Sequence, residues 1–384
     1  MCRLPLGESL HMRPSPLQHF YEEVSFVVAM TNRERLLAIA QGRELDRVPF
    51  IQYDGIAAPN EEIWPVLGRN NMGLLRWSNV HRFAHPHCHF EVQETEQDGR
   101  RGRRTILHTP AGQLVEECLY QATYNVAAIR QHYIRDLADY RVFMAYLRDI
   151  VVLPDVERFW RDYRELGDDG LPLVAVERTP FQQLWIQWVS LEDLCAHMAD
   201  DPDLVEECIG LLAQIERQVY AVVRRAAESA PIPFVDIPDN ITAPVIGLRH
   251  FKRYCLPLYQ ELSGMLAERG VPVFVHMDGY LKPLWSVIGE TGIGGIDSLS
   301  PPPDNDTSAG DVVRLWPGMR VFLNFPSSVH IAEPAAIYEQ AARILAEAGH
   351  SGRLSIQISE NVPPGVWRRS FPEIVRAIDD FGRP

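Results

Sequence analysis

The stretch Val271-Pro-Val-Phe-Val-His-Met-Asp-Gly279 is an apolar run of the kind that forms a buried β-strand, and it ends in polar residues. Residues two apart on a strand point to the same side, so His276 and Asp278 are expected to project together. An imidazole and a carboxylate at the end of a buried strand predict a functional site there. The alternative is a satisfied histidine followed by an aspartate that caps the next helix. Taken alone, the stretch favours neither interpretation.

The composition restricts the class of protein. The chain has 384 residues, which fits one large α/β domain or two average ones, and its net charge is -14. Such an acidic chain is not expected to bind nucleic acid or an anionic membrane. No apolar run approaches the roughly 18 residues that span a bilayer, and no signal peptide is recognisable. Six scattered cysteines are typical of reduced thiols, so we expect a cytoplasmic protein.

The first 30 residues are predicted to be an N-terminal extension or a docking arm, with Met30 as an alternative start. Thr31 followed by Glu34 and an apolar run is a capping box, which predicts that a helix begins there. Residues 31–384 are therefore expected to form one domain.

From residue 173 onward, short apolar strands alternate with helical segments. Together with the stretch at 48–53, the predicted strands are 173–177, 233–237, 271–276, 295–299, 320–324 and 354–358. Repeated strand-helix units predict a parallel sheet, and about eight of them predict a closed (β/α)8 TIM barrel. An open doubly wound sheet is the second choice, weakened by the absence of a Gly-x-Gly-x-x-Gly motif after the first strand. The eighth strand is expected within residues 109–155.

Residues 55–83 are expected to form short helices, with Trp64, Leu67, Leu74 and Trp77 as packing residues. Residues 90–96 and 103–108 are extended stretches on either side of a basic tip. This pattern predicts a β-hairpin inserted into the barrel.

Many of the predicted strands end in polar side chains, and in this fold the C-terminal strand ends carry the chemistry. On the last strand, Leu354, Ile356 and Ile358 would share a face that Glu360 continues. The polar strand-end residues are Tyr53, Asp54, Glu177, Arg178, Asp239, Asn240, His276, Asp278, Asp297, Asn324 and Glu360.

His276, Asp278 and Glu360 are expected to converge at the barrel mouth. One imidazole and two carboxylates form a plausible three-ligand set for zinc, iron or manganese. Each residue also has a structural interpretation: Asp239 and Asp278 as helix caps, and Glu360 as a partner of Arg368 or Arg369. A second histidine-rich segment, residues 85–89, is interpreted as a solvated or pocket-lining loop rather than as a metal site, because no further ligands follow at a suitable spacing.

Several stretches resemble the uroporphyrinogen decarboxylase superfamily. They are Thr31-Asn-Arg-Glu-Arg35 with Asp46-Arg-Val-Pro49, Asp201-Pro-Asp-Leu-Val205, His276-Met-Asp-Gly279 and Ser359-Glu-Asn-Val-Pro-Pro364. The resemblance implies a (β/α)8 barrel with its site at the C-terminal mouth. It also implies one of two activities, since the superfamily includes porphyrinogen decarboxylases and zinc-dependent methyltransferases that work with corrinoids.

The chain departs from both branches. The decarboxylases have an arginine-rich motif after the first strand, whereas Phe50-Ile-Gln-Tyr-Asp-Gly-Ile56 contains no arginine. The methyltransferases hold zinc with a His-x-Cys pair and a later cysteine. Here the pair corresponds to His276 and Asp278, and the later cysteine falls near Glu360. Carboxylates in place of thiolates make a harder site, better matched to oxygen ligands.

The preferred hypothesis is a metal-dependent methyltransferase that moves a methyl group between a small substrate and a corrinoid (cobalamin) or tetrahydrofolate carrier. Zinc is the first candidate metal, a corrinoid protein a possible partner and a homodimer a possible assembly. The alternatives are a decarboxylase or lyase acting on a carboxylic acid and a non-catalytic corrinoid- or protein-binding relative. The predicted catalytic residues are Asp239, Asp278 and Tyr53, the substrate-binding residues Asp54, Arg178, Asn240 and Asn324, and the metal ligands His276, Asp278 and Glu360.

Overall fold

The computed structural model describes residues 29–121, 126–360 and 362–383. The predicted extension therefore lies almost entirely outside the described residues. The first helix, α1 (Asn32–Gln41), begins with the predicted capping box, in which the Thr31 hydroxyl accepts from the Glu34 amide and the Glu34 carboxylate accepts from the Thr31 amide. It ends at Gly42, whose φ of 68° is the left-handed conformation that glycine adopts at low cost.

The described residues form fourteen strands. In chain order they are β1 (Phe50–Tyr53), β2 (Gly73–Ser78), β3 (His81–Ala84), β4 (His89–Gln97), β5 (Arg100–Thr109), β6 (Gly112–Gln121), β7 (Val126–Gln131), β8 (Val151–Pro154), β9 (Gly170–Ala175), β10 (Val235–Ile237), β11 (Val273–His276), β12 (Gly295–Leu299), β13 (Arg320–Asn324) and β14 (Leu354–Ile358).

The helices after α1 follow the strands in the expected alternation over most of the chain. They are α2 (Asn60–Leu67), α3 (Leu137–Asp149), α4 (Val156–Leu166), α5 (Pro180–Gln183), α6 (Leu191–Asp200), α7 (Pro202–Ala226), α8 (Ala243–His250), α9 (Leu256–Ala267), α10 (Trp285–Ile288), α11 (Ala309–Leu315), α12 (Pro334–Ala348) and α13 (Trp367–Phe381). No helix in the described part of the chain is both long enough and apolar enough to cross a bilayer.

Eight of the described strands close into a parallel barrel in the order β1-β14-β13-β12-β11-β10-β9-β2. This confirms the predicted (β/α)8 fold. The seven predicted strands are all present, and β2 pairs with both β1 and β9 to complete the ring.

The barrel interior is packed at its N-terminal end by aromatic side chains. Phe274 lies 4.9 Å from Phe234 and 4.8 Å from Phe322 between ring centroids. Leu36 and Ile39 of α1 belong to the same buried cluster, so this helix covers that end of the barrel. Alternate strand residues such as Val235 and Val273 face the surrounding helices instead.

The segment between β2 and β9 leaves the barrel and forms two further sheets. Strands β4 to β7 make an antiparallel four-stranded sheet, and β3 pairs with β8 in a two-stranded ribbon. The predicted hairpin is confirmed as β4 and β5. Its turn is tighter than predicted, because Gln97 pairs with Arg100 across Asp98 and Gly99, which both have positive φ.

Two predictions about this part of the chain are wrong. Residues 55–83 contain α2, but also β2, where only short helices were expected. The missing barrel strand is therefore β2 and does not lie in residues 109–155, because the strands described there pair only outside the barrel. The strand-helix rhythm fails after β2 because the inserted sheets follow it at once.

Candidate active site at the barrel mouth

His276 ends strand β11 and is largely buried, with its ring facing the barrel interior like that of Phe274 two residues earlier. Its Nδ1 lies 2.9 Å from the backbone carbonyl oxygen of Asp239. A carbonyl oxygen can only accept a hydrogen bond, so Nδ1 carries the proton and donates it. The lone pair of Nε2 is thereby left free for a ligand, as in most metal-bound histidines.

The side chains of His276, Asp278 and Glu360 come together at the mouth, with one potential ligand atom from each residue within 4.8 Å of the others. Asp278 is held by Asn240, whose side-chain amide donates to Oδ2 at 3.1 Å. Asn305 donates to the backbone oxygen of Asp278 at 2.6 Å. Asn240 therefore orients the carboxylate itself, whereas Asn305 holds the backbone that carries it.

Glu360 follows the end of β14, and the preceding residue fixes its position. The side-chain oxygen of Asn324 accepts from the amide of Ser359 at 3.1 Å and from its hydroxyl at 3.2 Å. Burial raises the pKa of Glu360, and the charges of Asp278 and Asp297 raise it further, while His276 acts in the opposite direction.

Glu360 lies at the barrel mouth as expected, but the reason given for it is wrong. It does not reach the mouth by continuing the face of the strand that carries Ile356 and Ile358. Ile356 and Ile358 belong to the cluster that faces the helices, so a continued strand would turn Glu360 away from the barrel. Strand β14 ends at Ile358, and the chain beyond it turns toward the mouth. The ion pair considered as an alternative is not formed, since Arg368 pairs with Glu62 and Arg369 donates to the carbonyl of Ile331.

Tyr53 connects opposite sides of the barrel. It lies at the end of β1, and its hydroxyl donates to Oδ2 of Asp297 on β12. The register between β12 and β13 shifts at this point, and Ser298 has a φ of 59°, which is rare for a residue other than glycine. Burial raises the pKa of Asp297, with His276 and the Tyr53 hydrogen bond opposing the shift.

Asp236 lies inside the barrel on β10, on the same face as Phe234, and is 0% exposed. Neither of its carboxylate oxygens has a hydrogen-bond partner among the described residues. Burial raises the pKa of Asp236 well above its usual range, and the charges of Asp297 and Asp239 add to the effect. Asp236 was not among the predicted site residues, although a carboxylate within a buried strand is a usable signal.

Asp239 is also 0% exposed, but its carboxylate is fully occupied. Oδ1 accepts from the Thr179 amide at 2.9 Å, and Oδ2 accepts from the Thr179 hydroxyl at 2.8 Å and from the Tyr259 hydroxyl at 2.5 Å. Asp239 contacts the site through its backbone carbonyl oxygen, which accepts the hydrogen bond from His276. Its side chain ties the loop after β10 to neighbouring elements.

The other predicted substrate-binding residues lie around the same mouth. Arg178 donates to the side-chain oxygen of Asn240 at 3.1 Å, while its Nε is buried without a partner among the described residues. Asp54 is already bound, accepting from Arg76 at 2.6 Å and from Asn60 at 2.7 Å. The side-chain oxygen of Asn324 accepts the two hydrogen bonds from Ser359 described above.

The histidine-rich segment at 85–89 is not part of the convergent set found among the described residues. His87 pairs with Asp149 at 2.7 Å, and His85 stacks on Tyr146 at 5.0 Å between ring centroids. Burial, followed by contact with Asp149, raises the pKa of the Cys88 thiol to about 11. A protonated thiol is a poor metal ligand, which supports the interpretation of this segment as a loop rather than as a metal site.

Trp77, predicted to be a packing residue, is partly exposed. It follows the inward-facing Leu75 by two residues on β2, so it points toward the barrel mouth rather than into a packed core. Its ring contacts that of Tyr53, with centroids 5.1 Å apart, yet 37% of the residue is exposed.

Comparison with known proteins agrees with this architecture. The family model described as uroporphyrinogen decarboxylase (URO-D) matches residues 158–379, more than half of the chain. A methyltransferase from Methanosarcina mazei superposes with a TM-score of 0.53 at 13% identity, covering 92% of this chain and 99% of that chain. A B12-independent methionine synthase from Shewanella sp. W3-18-1, in complex with selenomethionine, gives a TM-score of 0.43 at 9% identity, covering 87% and 97%. The search of curated proteins finds no match.

Proposed function

The chain belongs to the uroporphyrinogen decarboxylase family, and we propose that it is a metal-dependent methyltransferase of that superfamily. It would move a methyl group between a small molecule and a corrinoid or folate carrier. One observation carries the proposal: potential ligand atoms of His276, Asp278 and Glu360 lie within 4.8 Å of one another. They do so at the barrel end where enzymes of this fold perform their chemistry.

The donor set fits a divalent metal. One imidazole nitrogen and two carboxylates suit zinc, manganese or iron and leave coordination positions open for a substrate. A metal bound there would act as a Lewis acid on an oxygen or nitrogen atom of the substrate. The hydrogen bond from His276 to the Asp239 carbonyl is the kind of outer contact that orients a metal-binding imidazole.

Asn240, Asn324 and Asp239 would act as positioning residues. Asn240 restrains Asp278 by a direct hydrogen bond, and Asn324 restrains the residue before Glu360. This proposal differs from the direct roles first expected: catalysis for Asp239, and substrate binding for Asn240 and Asn324. The side chains of all three are occupied by protein contacts.

Tyr53 and Asp297 would hold a proton beside the substrate. Burial, followed by the nearby carboxylates, raises the pKa of Tyr53 well above its usual range, so the phenol keeps its proton and donates it to Asp297. The raised pKa of Asp297 makes this carboxylate a better proton acceptor at neutral pH than an exposed aspartate.

The test is metal content combined with methyl-transfer assays, using methylcobalamin and methyltetrahydrofolate as carriers. We expect bound metal in the purified protein. Asp278→Asn and Glu360→Gln should each weaken zinc binding by more than about 100-fold, since even outer contacts of a ligand are worth 10- to 100-fold. The matched control is Asp54→Asn, a carboxylate near the mouth that is paired with Arg76. Metal-free protein with unchanged activity in both ligand variants would refute the mechanism.

A carboxy-lyase is the second candidate, and Arg178 favours it. A half-buried guanidinium at the mouth, whose Nε has no partner in the described part of the chain, could bind a substrate carboxylate. Carbon dioxide release in the absence of any methyl carrier, and its loss in Arg178→Gln, would select this activity. A separate corrinoid protein and a homodimer remain proposals that analytical ultracentrifugation, alone and in mixture, would test.

A further inference from the structure

The barrel mouth combines an exposed aromatic face with an excess of carboxylates. Arg76 pairs with Asp54 and His81 with Glu177. The remaining described carboxyl groups around the mouth are Asp236, Asp239, Asp278, Asp297 and Glu360, against the basic side chains Arg178 and His276. A divalent metal would offset Asp278 and Glu360 but would leave the acidic residues on β10 and β12 uncompensated. This environment favours a cationic substrate group over an anionic one.

Asp236 is the group whose surroundings are hardest to explain by folding alone. It is 0% exposed, and neither oxygen has a partner among the described residues. Burial of a carboxylate without a partner is costly, and buried charges in proteins are normally paired. A cation bound above it at the mouth would interact with this carboxylate through charge, without direct contact.

Trp77 and Tyr53 provide the surface on which such a cation would rest. The two rings are 5.1 Å apart at an interplanar angle of 63°, so they form a corner rather than a parallel stack. Tyr53 is close to Asp297 through its hydroxyl and close enough to Asp236 for charge interaction. A partly exposed indole, joined through Tyr53 to buried carboxylates, is suited to a methylated ammonium group, which is attracted by ring and charge but donates no hydrogen bond.

We propose that Trp77, Tyr53, Asp236 and Asp297 form a binding subsite for a quaternary ammonium group, and that the small-molecule substrate carries one. The second part, that the substrate carries such a group, rests on the methyl-transfer function proposed above. The first part, that the subsite binds a cation, depends neither on the metal site nor on turnover.

The test measures binding to EDTA-treated protein by calorimetry, using choline, tetramethylammonium and 3,3-dimethylbutan-1-ol, the uncharged isostere of choline. We expect both cations to bind at least tenfold more tightly than the neutral alcohol. Trp77→Leu should weaken choline binding by about 2- to 30-fold, the usual range for a cation–π contact. Asp236→Asn should weaken it by roughly tenfold, because the cation can then no longer stabilise a negative charge at this position. Trp64→Leu, at a tryptophan stacked under Arg69 outside the mouth, is the matched control and should bind as the unchanged protein does.

Equal or tighter binding of the neutral alcohol would overturn the inference and would indicate an apolar site instead. Unchanged choline affinity in Trp77→Leu, with an unaltered melting temperature, would overturn it as well. The subsite and the metal mechanism can fail independently. Methyl transfer without choline binding would refute the subsite alone. Choline binding by a protein that is purified without any bound metal would support the subsite and refute the metal mechanism.

Discussion

Replacing Asp239 distinguishes a positioning role from a catalytic one. Its carboxylate accepts three hydrogen bonds, two from Thr179 and one from Tyr259, and the residue is 0% exposed. Asp239→Ala would leave three buried donors without an acceptor. At about 1–2 kcal/mol for each donor, the expected loss is about 3–6 kcal/mol of unfolding free energy.

Asp239→Asn is the graded variant. The amide oxygen can still accept one of these hydrogen bonds, and the two hydroxyl groups can rotate to accept from the amide NH2. We expect a loss of about 1–2 kcal/mol. Asp169→Ala removes a surface ion pair with Arg69 and serves as the control, with an expected change within about 1 kcal/mol.

The assay is urea denaturation followed by circular dichroism, together with zinc titration against a competing chelator. Because the Asp239 carbonyl orients His276, Asp239→Ala should also lower zinc affinity by about tenfold. The positioning role would be refuted if Asp239→Asn unfolded at the original midpoint, bound zinc unchanged and yet lost all turnover. That result would restore Asp239 as an acid or base in the reaction.

Further predictions concern a buried acid and the glycine beside the site. Burial, reinforced by the charge of Asp239, raises the pKa of Glu216 well above its ordinary value of 4.5, so folding disfavours the ionised form. Its carboxylate also accepts hydrogen bonds from Gln183 and Tyr220, which an amide keeps only in part. Relative to the unchanged protein, Glu216→Gln should therefore gain unfolding free energy as the pH rises from 4.5 to 7, by up to about 1.4 kcal/mol per pH unit; a difference that stayed constant between pH 4 and pH 7 would contradict this cause. Gly279→Ala would place a Cβ 2.2 Å from the Thr242 Cβ, so thermal denaturation should show a loss of about 2 kcal/mol or more together with weaker zinc binding. Gly264→Ala, in helix α9 with open space around it, should instead stabilise the protein by about 0.5–1 kcal/mol, and equal effects of the two substitutions would exclude the steric explanation.

The barrel could be predicted because most of its strands are short apolar runs followed directly by helices. Strand β2 could not, since Arg76 and Trp77 interrupt its apolar pattern and the inserted sheets follow it. Its identity depends on pairing with β1 and β9, which are distant in sequence. The hairpin was predictable because its turn and its register are both local.

In the candidate site, strand alternation predicts the direction of side chains within the strands but not beyond their ends. His276 lies within β11, and alternation places it correctly beside Asp278. Glu360 and Asp239 lie beyond their strands, where loop contacts decide the direction of each side chain. The chain after β14 brings Glu360 inward, whereas Thr179 and Tyr259 hold the Asp239 carboxylate away from the mouth.

Asp236 and Asp239 are three residues apart and equally buried, yet opposite effects on stability are expected from replacing them. Asp239 has three hydrogen bonds to lose, whereas Asp236 has none among the described residues. Burial raises the pKa of Asp236 far above 3.8, so its ionised form is penalised on folding at every pH above that value. Asp236→Asn should therefore raise the urea midpoint at pH 7, and the gain should shrink as the pH falls toward 3.8. A destabilised Asp236→Asn would mean that the carboxylate has a structural partner, and the quaternary ammonium subsite would lose its main support. A stabilised variant that no longer binds choline would instead identify Asp236 as a residue retained for function at a cost in stability.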